Sequence, residues 1–328
     1  MKFFTHPEGI FEMKIPLDWY YKNEVVGHKN DSPFSFELYE NKCGCFQISV
    51  YHESQKKINP RLPSHSFNIN DLKFVEMDLP DQDFKIYLWG TVVENYTIMA
   101  KYVCQPSELN RNQIRGELMK VKKTLSSVMC HSIDRRKLAI GYDRYEKFNS
   151  SLAASFDLKN KSLENKCFLK FIVITANQID AYIRLCIVLR FQIIENSNEF
   201  KVEYLHQKDS DRPVMEKKIY DVARSMEIIN EKQHSDLYKL YDLRNKVVHR
   251  YIITDIKTFE LLDICLKYES LCEVIRMILH DIELEQYSSK IGYYSNKDPH
   301  RKFSENHVKE LMSLVNEKHL FSEYFRVL

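Results

Sequence analysis

CFLKFIVITANQIDAYIRLCIVLRFQII, residues 167–194, is the most hydrophobic stretch of the chain, and its reading decides the fold. A run of this length is long enough to span a bilayer as a helix. It carries Lys170, Asp180, Arg184 and Arg190, however, and charges spread through the run argue against a membrane span. A helix that is apolar nearly all round and does not enter lipid belongs in a protein core. The segment therefore predicts a long buried helix at the centre of a helical domain. Asn177, Asp180, Arg184 and Thr175 interrupt its apolar face and need partners there.

Helical periodicity continues on both sides. Upstream, LAIGYDRYEKFNSSLAASFDL (138–158) predicts a helix or helix pair. Downstream, 196–213 reads as a connector. Helices are expected over 214–230, 235–248 and 256–286, then a loop, then a last helix ENHVKELMSLVNEKHLF (305–321). The polar, basic stretch HSIDRRK (131–137) marks the predicted domain boundary, giving 1–130 and 131–328.

Before that boundary the period changes from helical to two. FSFELY (34–39) and CFQISVY (45–51) flank the turn ENKCG and predict a hairpin. FVEMDL (74–79), FKIYLWGTVV (84–93) and YTIMAKYVC (96–104) continue as a meander with a tight turn at Glu94–Asn95. Ser107 is placed to cap a helix over 108–126, with Ile114, Leu118, Val121 and Leu125 on one stripe. The expected fold is thus an α+β N-terminal domain, an antiparallel sheet with a covering helix, followed by an all-α helical bundle. The N-terminal part resembles the PsbP-like fold, in a meander ending in YVC followed by a loop and a terminal helix. That likeness implies a binding or regulatory module and brings no catalytic motif.

Composition narrows the function. The net charge is only +2 over 328 residues, with 16 basic and 16 acidic residues in 1–130. Neither half is a polycation, so a nucleic-acid site must be a local patch. Basic stretches at Lys120–Lys123, Arg135–Lys137 and Lys217–Arg224 are candidates for tracking a backbone, and YSSKIGYYS (287–295) for stacking bases. The eight cysteines are scattered; only Cys43 and Cys45 are close, and no second pair stands at zinc-like spacing. The opening MKFFTHPEGIFEMKIP has no sustained apolar run, so no signal peptide is expected there and a reducing, cytoplasmic setting is. No phosphate-binding glycine loop, nucleophile elbow or zincin motif occurs.

One stretch concentrates chemistry: YDLRNKVVHRYIITD, 241–255. It sets Arg244, Asn245, His249 and Tyr251 among Leu243, Val247, Val248, Ile252 and Ile253, and predicts a buried helix end with the chain breaking near Thr254. At 100° per residue, Asn245 and His249 share one face and Arg244 and Tyr251 a neighbouring one, so all four are expected to converge on a single pocket. The spacing by itself decides little, since 15 Arg and 12 His would give roughly one or two such pairs by chance. A second, Arg301 with His307, lies in a polar capping region and reads as surface.

RNKVVHRY resembles the R-x4-6-H motif of the HEPN superfamily, in the stricter R-x4-H-x-Y form of toxins paired with nucleotidyltransferase antitoxins. The likeness covers about 138–290. It implies a metal-independent RNA endonuclease acting as a homodimer, without a cofactor, in toxin–antitoxin or antiviral defence. A regulatory protein or antitoxin is then a further expected partner, and a membrane is not. The residues can support that chemistry. RNA carries its own nucleophile, the 2′-hydroxyl; a histidine can serve as general base near neutral pH. Arg244 offers a fork for phosphate oxygens, and Asn245 is placed to orient His249 or bind a phosphate oxygen. Tyr251 stands where such antitoxins attach nucleotide, or is a core or interface tyrosine. Asp180 pairs with Arg244 or His249, or else with Arg184 one turn along its own helix. Two other readings remain: a non-catalytic HEPN-like module for dimerisation or RNA or nucleotide binding, and an N-terminal domain that binds a lipid or small ligand.

Overall fold

Side chains that alternate in and out, rich in aromatic and β-branched residues, drive the first third of the chain into strands. The computed structural model describes all residues except 29, 41–42, 53–63, 70–71, 78–83, 106–110, 208–210, 213 and 303. The elements in order are β1 (Lys2–Thr5), β2 (Phe11–Ile15), β3 (Trp19–Tyr21), α1 (Lys22–Val25), β4 (Phe34–Leu38), β5 (Cys45–His52), β6 (Ser64–Ile69), β7 (Leu72–Met77), β8 (Lys85–Val93), β9 (Tyr96–Cys104), α2 (Arg111–Leu125) and β10 (Met129–Cys130). Helices follow: α3 (Ile133–Glu164), α4 (Phe168–Ile194), α5 (Glu216–Ser225), α6 (Glu231–Arg250), α7 (Glu260–Ser289) and α8 (Glu305–His319). The Ser107 cap expected for α2 lies outside the described residues.

The main sheet is antiparallel in the order β3-β4-β5-β9-β8-β7-β6. The expected hairpin forms, with Phe36 opposite Phe46, and Glu94–Asn95 turns β8 into β9. The sheet is more than a meander, because β9 inserts between β5 and β8. Phe34, Phe36, Phe46, Ile48, Trp89, Ile98 and Tyr102 form one buried core, closed by Val121 and Leu125 of α2. Ile114 and Leu118 pack against it, as the stripe predicts. The buried indole of Trp19 donates to Glu117 Oε2 of α2 at 2.9 Å. A second sheet, β1-β2-β10, adds Phe4, Phe11 and Met13 to the same core. The β1–β2 turn needs Gly9 at φ +69°, since a Cβ there would stand 2.6 Å from the Arg136 carbonyl oxygen.

The chain divides into two compact units, Met1–Ile140 with Val327–Leu328, and Gly141–Arg326. The division falls ten residues beyond the predicted boundary. HSIDRRK is not a linker: Ile133 opens α3, which runs unbroken for 32 residues where a helix or helix pair was expected. Polar, basic composition here marks a solvated helix face, not a break.

The second unit is all helical. The run that opened the sequence reading forms α4, whose most apolar window is 72% buried, as expected of a core helix. It packs most extensively against α7. Cys186 of α4 and Cys265 and Cys272 of α7 are free and buried, as small core residues. The loop after α7 does not offer its aromatic rings for stacking. Tyr293 is 8% exposed and its hydroxyl hydrogen-bonds Glu146. Its backbone N–H donates to Gln192 Oε1 at 3.0 Å, and that of Tyr294 to Gln286 Oε1 at 3.0 Å. These buried glutamines of α4 and α7 fix the loop to the bundle.

Candidate active site

The site begins with the way α6 is started and held. Asn230 and Gln233 form a reciprocal capping box that satisfies the first turn. Leu237, Leu240 and Val247 are buried, and the Tyr268 hydroxyl of α7 donates to the Leu240 carbonyl at 2.6 Å. This sets the rotation of the helix and directs position 244 inward.

Arg244 is then half-buried against α5. Its Nη1 donates to Glu216 Oε2 at 2.5 Å, and both side chains are 16% exposed. Its Nη2 donates to Asn245 Oδ1 at 3.1 Å, and the guanidinium lies over the Tyr241 ring at 4.8 Å. The Tyr220 hydroxyl donates to the other Glu216 oxygen. Burial works against the charge on Arg244, but the Glu216 hydrogen bond and charge outweigh it and hold its pKa above the ordinary arginine range.

Asp180 takes Arg184 as its partner, at 2.6 Å and one turn away on α4. Arg184 also donates to the carbonyls of Tyr204 and Val214, at 3.4 and 3.5 Å. Of the pairings open in the sequence, Arg244 and His249 are therefore not the ones made. Nor is this a surface bridge, since the side chains are 24% and 12% exposed. Burial pushes the Asp180 carboxyl up, the Arg184 pair opposes that, and Glu216 and Arg244 also act on it. One Asp180 oxygen, Oδ1, is buried without a hydrogen bond. Two carboxylates and two guanidinium groups, all partly exposed, thus act on one another.

His249 goes the other way. It sits in the last turn of α6, is exposed, and has no hydrogen-bond or ion-pair partner among the described residues. Tyr251 lies in a 3-10 turn, Tyr251–Ile253, with its hydroxyl 2.6 Å from Thr258 Oγ1. The expected buried helix end is overturned: Val248 is 39% exposed, Ile253 80% and Ile252 94%. The expected convergence on one pocket within a protomer fails with it. Five residues on a helix turn through about 500°, so an inward Arg244 puts His249 about 140° away, on the outer side. The break near Thr254 does occur, the helix ending at Arg250.

Sequence reasoning missed Glu216 and Tyr220. Their signal was weak: an acid near the start of an amphipathic helix, and a tyrosine four residues on. Several of the basic residues proposed to follow a nucleic-acid backbone are already engaged. Lys120 pairs with Asp18 and Glu117, Lys217 with Asp242, and Arg224 with Glu231. Among the described residues no group of three or more His, Cys, Asp or Glu is arranged to hold a metal.

No family model and no curated protein matches the chain. A crystal structure at 1.50 Å resolution from Bacteroides thetaiotaomicron VPI-5482 is similar over 53% of this chain and 76% of its own, at 11% identity. Its TM-score of 0.30 is too low to carry an argument about fold or site.

Proposed function

We propose that this protein is a metal-independent endoribonuclease of the HEPN type, acting as a homodimer, with Arg244, Asn245 and His249 as its catalytic residues. The carrying observation is the division of labour on α6: Arg244 and Asn245 are held rigidly, while His249 is exposed and unpartnered on the last turn. In the reaction His249 takes the proton of the RNA 2′-hydroxyl. The 2′-oxygen bonds to phosphorus and the P–O5′ bond breaks. Protonation of the departing oxygen leaves a 5′-hydroxyl beside a 2′,3′-cyclic phosphate. Arg244 stabilises the charge that develops on the phosphate.

A second copy is needed to complete the site in this reading. Supporting it, Val248, Ile252 and Ile253, next to His249 in the chain, are exposed, and so are Phe259, Leu262, Leu266, Val274 and Met277 at the start of and along α7. The α7 members recur at helical spacing on the face opposite its buried Ile264, Tyr268 and Ile275. Soluble monomers seldom leave so much apolar surface open. A toxin or defence role, and an antitoxin or other regulator, follow from the resemblance at 244–251 alone.

The test is cleavage of RNA in EDTA by wild type, His249→Ala and Arg244→Lys. Loss in both variants with cyclic-phosphate products supports the reading. Activity that survives His249→Ala overturns it.

One observation favours a second reading, a non-catalytic module for dimerisation or for RNA or nucleotide binding. Arg244 is already paired with Glu216, and meeting a phosphate requires it to leave that carboxylate. Glu216→Gln separates the two, because releasing Arg244 raises cleavage in a nuclease and yields none in a binding module.

A further inference from the structure

A cleft of about 520 Å³ opens in the N-terminal unit, between the β8–β9 turn, β10 and the first turn of α3. Its volume lies in the range of small-molecule sites. The nuclease reading makes no use of it.

The cleft contains an unneutralised cation. Arg136 Nη1 donates to the Tyr96 hydroxyl at 3.1 Å and Nε to the His131 carbonyl at 3.4 Å. The guanidinium lies over the Tyr96 ring at 5.1 Å. Both acceptors are neutral, and no carboxylate among the described residues forms an ion pair with Arg136 within 4.0 Å. Its Nη2 donates to nothing among the described residues. Arg184, Arg190 and Arg244, by contrast, each pair with an acid. A fork anchored by two neutral groups, with one edge left open, is prepared for an outside anion.

The rest of the lining is mixed: it includes the carboxylate of Glu94, which makes no ion pair with Arg136 within 4.0 Å, beside apolar and imidazole groups. Ile10 and Val128 are 5% and 1% exposed and provide an apolar wall. His131 lines the same cleft with its side chain 11% exposed. Its Nε2 is buried and makes no aligned hydrogen bond, although Glu12 Oε2 stands 3.3 Å away.

We propose that this cleft binds a small organic carboxylate, with the carboxylate on Arg136 and an apolar body against Ile10 and Val128. The assignment is independent of the nuclease reading, since no residue is shared with it. Phosphate esters offer the same charge with more oxygens and a wider head; the probes below are chosen for the carboxylate.

The experiment is calorimetric titration of the full chain with benzoate, and with benzyl alcohol as the uncharged counterpart. Wild type is expected to bind benzoate and not benzyl alcohol, and Arg136→Gln to bind benzoate at least about tenfold more weakly, the loss of one charge-assisted hydrogen bond. If Arg136→Gln does not fold, Tyr96→Phe is read instead: it removes the Nη1 acceptor, keeps the ring, and is expected to weaken benzoate measurably. Failure of wild type to bind benzoate at millimolar concentration overturns the proposal. So does equal binding of benzyl alcohol, or benzoate binding unchanged in whichever variant folds.

Discussion

Arg244 Nη1 and Glu216 Oε2 lie 2.5 Å apart, joining α6 to α5 with both side chains largely out of water. The pair turns the most reactive-looking cation of the sequence motif into part of the bundle's interior. His249, five residues on, is left in solvent. Structure and chemistry therefore separate along one helix, and they can be tested separately.

Glu216→Ala is expected to destabilise the protein by about 3 kcal/mol, because it leaves a half-buried guanidinium without its counter-ion. Arg244→Ala should cost a similar amount. The double variant should cost less than the two together by about 1 kcal/mol or more, the signature of a direct pair. Urea unfolding of the four proteins measures this.

His249→Ala is expected to change stability by no more than about 0.5 kcal/mol, since the side chain is exposed and has no hydrogen-bond or ion-pair partner among the described residues. The same variant should lose RNA cleavage. A thermal melt beside the EDTA cleavage assay checks both halves, and a large drop in stability would show a structural role that the geometry does not support.

Ile253→Asp and Leu266→Asp place a charge on surfaces that are 80% and 63% exposed in the protomer. Each should leave the protomer folded and abolish the proposed homodimer, leaving a monomer mass in light scattering. Wild type should also melt at a temperature that rises with concentration, and the variants should not.

His6 sets a pH dependence. Burial first, and Arg136 second, lower its pKa from 6.5 to about 4. Its Nδ1 accepts the Glu8 N–H at 3.1 Å, as a neutral ring does. With the folded-state pKa below the unfolded one, this contribution is fully present above pH 6.5 and is lost as pH falls towards 4. Its ceiling is about 3 kcal/mol. The loss of stability over that interval should be smaller in His6→Gln, measured by urea unfolding at each pH.

Gly9→Ala should cost about 1–3 kcal/mol through two causes acting together. The position has φ +69°, and the new methyl would fall 2.6 Å from the Arg136 carbonyl oxygen. A differential melt against wild type measures it, and an unchanged midpoint would show that the β1–β2 turn relaxes at no cost.

The elements were legible where periodicity was strong. The hairpin 34–52, the strands 85–104, the stripe on α2 and the core helix α4 all stand where the pattern places them. The small sheet of β1, β2 and β10 was not foreseen, because strands of two to five residues hold too few alternations to stand out. The boundary at 131–137 misled for a related reason: solvated charge looks the same on a helix face as in a linker.

The sequence by itself determined the class of fold and the helix that carries Arg244, Asn245 and His249, because hydrophobic period and capping act locally along the chain. Only the tertiary structure decided which of those groups face inward. Neighbouring helices set the rotation of α6 through Tyr268 and Glu216, and that rotation turns Arg244 inward and exposes His249. Pairing is a property of residues far apart in sequence, as Arg244 and Glu216 are, and burial decides which charges need a partner.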